Sequence, residues 1–86
     1  MPYFVGEYSN KQCDYYKVIF LIATSEYWAN RYMSDGVEAY GYSYEFNAYL
    51  GSITYNLRKI SEEEADDIGT EEFINIADYG YSDNYK

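Results

Sequence analysis

Carboxylates are the reactive side chains this chain has in quantity, and they are bunched. Glu62, Glu63, Glu64, Asp66, Asp67, Glu71, Glu72 and Asp78 follow one another with no lysine or arginine between them. Paired carboxylates can do acid–base work on a glycosidic bond or hold a magnesium ion. Both chemistries need an enclosed site, whereas acids gathered on a short helix of surface character read as a solvated face. The Glu62–Asp67 run also lacks the glycine and the alternating oxygen ligands of a calcium loop. Histidine is absent altogether, which removes the usual general base near neutral pH and the commonest transition-metal ligand. Ser-His and Cys-His pairs are therefore excluded. Gly36, Gly41 and Gly51 are spaced as turn and strand positions, not as a phosphate cradle. Cys13 is followed by Asp14, whose negative charge disfavours a thiolate. The expectation is a non-enzymatic protein that calls for no cofactor and no metal.

Charge then becomes the informative property. The 86 residues carry a formal net charge of −9. Residues 1–60 hold six acids against five bases, while residues 61–86 hold nine acids against Lys86 alone. A localised field of this kind selects a cationic partner. On a helix, Glu62 and Asp66, or Glu63 and Asp67, stand about 6 Å apart along the axis, comparable with successive phosphates on a strand. A plainer reading has these acids solubilise a helix and satisfy its N-terminal dipole. That accounts for two or three of them and less well for the continuation through Glu71, Glu72, Asp78 and Asp83, because unrelieved self-repulsion costs stability.

The elements that would position these groups fit one small domain over residues 1–86, with the tail 79–86 fraying. Tyr15 to Ala23 is β-branched and aromatic, with apolar residues on both parities after Lys17, as in a central strand covered on both faces. Thr24 and Ser25 offer N-cap oxygens to a helix carrying Trp28, Ala29, Tyr32 and Met33 on one stripe, and Gly36 supplies a stop. From Val37 the period changes to two: Tyr40, Tyr42, Tyr44 and Phe46 alternate with Ala39, Gly41, Ser43 and Glu45, predicting a strand over 39–47. Residues 47–60 fit both a helical spacing and an alternation; the Leu50-Gly51-Ser52 break and Thr54-Tyr55 favour a strand over 53–60, in a hairpin with 39–47. Ser61 and Glu64 have capping-box spacing for a short helix 62–68 ended by Gly69, and Thr70 caps a second short segment, Glu71–Asp78. With a short first strand at Tyr3–Tyr8, the fold class is α+β: a small antiparallel sheet of three to four strands, a helix after the first long strand, and a short acidic C-terminal helix or helices.

Fourteen tyrosines cannot all be buried in so small a core, so several are exposed. Tyrosine is an adhesive residue, flat and apolar with a hydroxyl and little side-chain entropy. The Tyr40, Tyr42, Tyr44 row is either a binding face or the inner face of the sheet. Stacking on single-stranded nucleic acid is disfavoured, because the basic groove that accompanies it is missing and the field repels phosphates. The longest apolar run, Val18–Ala23, is too short to span a membrane, and an unpaired cysteine fits a reducing compartment, so a cytoplasmic location is expected.

In size, acidity, aromatic richness, α+β order and lack of catalytic groups, the chain resembles the small acidic inhibitors carried by bacteriophages and other mobile elements, the anti-CRISPR and anti-restriction proteins that mimic DNA. The resemblance is one of class and rests on no family motif. It implies that the chain acts in the host cytoplasm and occupies the nucleic-acid channel of a basic protein, a CRISPR effector or a restriction enzyme. Contacts would come from Glu62, Glu63, Glu64, Asp66, Asp67, Glu71, Glu72 and Asp78, with Tyr40, Tyr42 and Tyr44 beside them. The alternative is an interaction or assembly module that uses the tyrosine-rich sheet for a protein partner or a homodimer, with the acids serving solubility.

Overall fold

Alternation along the first strand organises the molecule. In a computed structural model that describes residues 1–10, 15–39, 42–43, 48–49 and 53–79, β1 (Tyr3–Asn10) pairs antiparallel with both β2 (Tyr15–Ile22) and β5 (Thr54–Ile60). A three-residue strand, β6 (Phe73–Asn75), adds to β2 in parallel, giving the order β5-β1-β2-β6. The described elements thus form a small α+β fold on a four-stranded sheet, antiparallel except at one edge. The strand expected at Tyr3–Tyr8 is longer than the sequence suggested and lies inside the sheet, next to β2.

One parity of β1 makes the larger core. Phe4 and Tyr8 pack with Leu21, Ala23, Ile53 and Ile76 beneath the helix α1 (Glu26–Ala39), which contributes Ala29 and Met33. Phe4, Leu21 and Met33 are fully buried. Ser25 caps α1 as its sequence position suggests, its hydroxyl accepting from the Trp28 amide at 3.3 Å. The opposite parity makes a smaller core, Val5 and Ile60 with Ala65 of α2 (Glu62–Ile68), into which Tyr3, Phe20, Ile68 and Phe73 pack. Phe73 meets both Tyr3, edge to face with centroids 5.3 Å apart, and Phe20 at 5.4 Å.

Three sequence expectations are corrected. Gly36 does not end α1, which continues to Ala39. Its lack of a side chain serves a close approach: a Cβ at Gly36 would collide with the Tyr8 hydroxyl, which donates to the Met33 carbonyl at 2.9 Å. Second, the strand expected over 39–47 is pre-empted at its start by this helix. Only β3 (Tyr42–Ser43) and β4 (Ala48–Tyr49) are described beyond it, and they pair with each other. Most of the expected 39–47 arm, residues 40–41 and 44–47, lies outside the described residues; among the described ones β5 pairs with β1 through a continuous seven-residue register, and not with β3. Third, Glu71–Asp78 is not a helix. A single 3-10 turn, Thr70–Glu72, leads directly into β6, where Phe73 and Ile74 line up beside Phe20 and Leu21. Aromatic and β-branched side chains fit a pleated surface better than a helix of one or two turns.

The Gly36 contact gives a first test. Gly36→Ala gains helix propensity worth about 1 kcal/mol, yet it should lower stability by about 1–3 kcal/mol in urea melts because the overpacked hydroxyl has to move. In a Tyr8→Phe background, where that hydroxyl is gone and the nearest ring carbon is 3.0 Å from the added methyl, the same change should be clearly less destabilising.

Candidate functional site

The acidic surface is built by α2 and the 3-10 turn after it. Ser61 has extended backbone and its hydroxyl accepts from the Glu64 amide at 3.1 Å, so the expected cap is present. The reciprocal half of the capping box is replaced, since the Glu64 carboxylate bonds Arg58 of β5 at 3.1 Å. Gly69, at φ 105°, ends the helix by donating to the Ala65 carbonyl. Ala65 and Ile68 point to the sheet, which turns Glu62, Glu63, Asp66 and Asp67 to solvent, all exposed. Glu71 and Glu72 continue the exposed series along the 3-10 turn.

Sheet register sorts the remaining charges. Tyr8 lies under α1 and is paired with Lys17; Phe4 lies under α1 and is paired with Lys59. Both lysines therefore belong to the α1 side, as does Arg31 of α1 itself, which pairs with Asp35 at 3.5 Å. On the α2 side, Val5 is flanked by Arg58, and Glu7 adds a further carboxylate. Arg58 is the one base that the described residues place on that side, and it is matched to Glu64.

Of the residues singled out from sequence, Glu62, Glu63, Glu64, Asp66 and Asp67 lie on α2 itself, and Glu71 and Glu72 on the turn that follows it. Asp78 does not join them. After β6 the chain crosses to the other face, where Ile76 enters the larger core and the Tyr79 ring lies edge to face on Tyr32 of α1, 5.3 Å between centroids. The Tyr79 hydroxyl donates to the Asp35 carboxylate, so this first residue of the expected frayed tail is docked. Tyr40 and Tyr44 lie outside the described residues, and β3 defines only the backbone of Tyr42. Other tyrosines have clear fates: Tyr8 is buried, Tyr55 packs edge to face against it, and Tyr16 and Tyr27 are among the most exposed apolar side chains. Sequence reading passed over Glu7 and Tyr16, which the β1–β2 register makes diagonal neighbours on one face. Parity within residues 3–10 was the available signal for Glu7; Tyr16 needed the register.

Among the described residues no group of three or more Cys, Asp or Glu side chains is arranged to hold a metal ion, and no helix is long and apolar enough to cross a membrane. Comparison with family models, curated proteins and solved structures gave no match.

Two local predictions follow from this geometry. Ser61→Ala should cost about 1 kcal/mol in a chemical melt, by removing the cap from a helix of only two turns. Arg58→Ala should change stability by less than about 1 kcal/mol, because its pair with Glu64 is open to solvent at both ends.

Proposed function

We propose that the chain is a non-enzymatic inhibitor whose α2 side competes with nucleic acid for a basic site on a protein, in the manner of an anti-CRISPR or anti-restriction DNA mimic. The observation that carries this reading is the sorting of charge across the sheet. Seven of the acids from the C-terminal third lie on α2 and the turn after it, six of them exposed; Glu7 is on the same side of the sheet, and the lysines of β2 and β5 are turned to the opposite side. Such a surface presents the periodic negative charge that a phosphate-binding groove is built to neutralise. Long-range attraction between the two would speed encounter and weaken steeply with salt. A CRISPR effector or a restriction enzyme of the host cytoplasm is the proposed target class.

The reading is tested by adding the chain to a panel of restriction enzymes and CRISPR effector complexes and following their DNA occupancy by mobility shift. Displacement of DNA that fades as salt rises is expected. Changing Glu63, Asp67 and Glu72 together to glutamine should weaken displacement about tenfold, with a thermal midpoint close to that of the parent because all three side chains are exposed. Asp78→Asn should leave displacement unchanged, given its place beside α1. Binding that is indifferent to added DNA and nearly flat with salt would overturn the proposal. Loss of binding on substitution of Tyr40 and Tyr42, with the glutamine variant unaffected, would instead establish the tyrosine-led interaction module.

A further inference from the structure

Among the described residues, the α2 side of the sheet is only half covered. Its cross-strand rows run Ile60-Tyr3-Ile22, Arg58-Val5-Phe20, Asn56-Glu7-Val18 and Thr54-Ser9-Tyr16. α2 and the segment into β6 lie over the first two rows, through Val5, Ile60, Tyr3 and Phe20. Among the described residues nothing lies over the last two, where Tyr16 is 62% and Val18 37% exposed, and Asn56 and Thr54 are also open to solvent. Three strands wide, this floor measures about 10 Å across. It is bordered along one side by the acidic helix.

Two of its side chains form a matched set. Tyr16 and Glu7 sit on adjacent strands at diagonal positions of one face, a separation long side chains bridge. Local desolvation, and then Glu7 as acceptor and as a nearby negative charge, raise the Tyr16 pKa above the ordinary phenol value. A carboxylate held at the edge of an exposed aromatic ring suits a guanidinium, which is planar, stacks on the ring and donates two parallel hydrogen bonds to the carboxylate. An ammonium gains less, being strongly hydrated and unable to form the fork.

We propose that the uncovered half of the sheet is an arginine-reading subsite for a cationic polypeptide segment, with Tyr16 stacking on an arginine side chain and Glu7 accepting its two donors. The occupant is basic because the floor's one charge is negative and its neighbouring helix is acidic. This deepens the function proposed above and rests on it: the acids of α2 attract a basic partner, and the floor selects what kind of base approaches.

Oligo-arginine and oligo-lysine peptides of equal length serve as probes, with affinity read by calorimetry on the intact chain at fixed ionic strength. The parent should prefer the arginine peptide. Tyr16→Ala and Glu7→Gln should each reduce that preference, by about two- to fivefold for the loss of stacking, while Tyr16→Phe retains most of it. Changing Glu63, Asp67 and Glu72 to glutamine should weaken both peptides alike and leave the preference standing. If Tyr16→Ala and Glu7→Gln leave the arginine-to-lysine ratio unchanged while the glutamine variant still weakens both, the subsite is refuted and the electrostatic reading survives. If the glutamine variant weakens neither peptide, the electrostatic reading fails first. Far-UV circular dichroism guards against misfolding, and the exposure of Tyr16 makes its truncation a mild change.

Discussion

The register of β1 between β2 and β5 is the constraint on which the rest depends. A strand shows alternate residues to opposite faces, so one pairing decides at once which side chains become core and which face solvent on each side. With Phe4, Gly6 and Tyr8 on the α1 side of the sheet, Tyr3, Val5 and Glu7 are committed to the opposite side, where α2 packs on the first two. The same step assigns the charges of the neighbouring strands. Lys17 and Lys59 follow Tyr8 and Phe4 to the helix-covered side, and Arg58 follows Val5. A slip of one residue in the β1–β2 pairing would carry Lys17 to the acidic side, and one in the β1–β5 pairing would carry Lys59 there in exchange for Arg58. Charge asymmetry is thus a product of backbone hydrogen bonding as much as of composition.

Each helix then uses its own means of meeting the sheet. α1 approaches closely because Gly6 and Gly36 leave room for Met33 and for the Tyr8 ring, and the Tyr8 hydroxyl is bonded across to the helix backbone. α2 is too short to persist by propensity. It is held by a serine cap, by Ala65 and Ile68 set into an aromatic pocket, and by acids at its positive N-terminal end. Those acids also satisfy the dipole, so Glu62, Glu63 and Glu64 are locally stabilising before they have any partner. Asp66 and Asp67, nearer the other end, have no such local gain.

Much of the local structure was legible because local chemistry set it. Ser61 followed by Glu64, then Gly69, fixes a short helix whatever surrounds it, and Ser25 ahead of an apolar stripe does the same for the start of α1. The errors fall where a neighbour overrode a local signal. Gly36 is a stop signal in isolation; here it stays helical because Tyr8, distant in sequence, occupies the space a side chain would need. Residues 71–78 carry a cap and a helical spacing, yet the free edge of β2 offered Phe73–Asn75 ladder hydrogen bonds and aromatic contacts that two helical turns could not equal.

By itself the sequence determined the fold class, the absence of histidine chemistry, the N-caps of both helices and the concentration of acid in the last third. These follow from residue identity and short-range spacing, which act within a few bonds or one helical turn. Tertiary structure alone decided that β5 joins β1, that Asp78 parts from the other acids, that Lys17 and Lys59 turn away from them, and that Glu7 and Tyr16 become diagonal neighbours on one face. All four are consequences of strand pairing, whose partners lie far apart along the chain and whose period of two converts a choice of register into a choice of face.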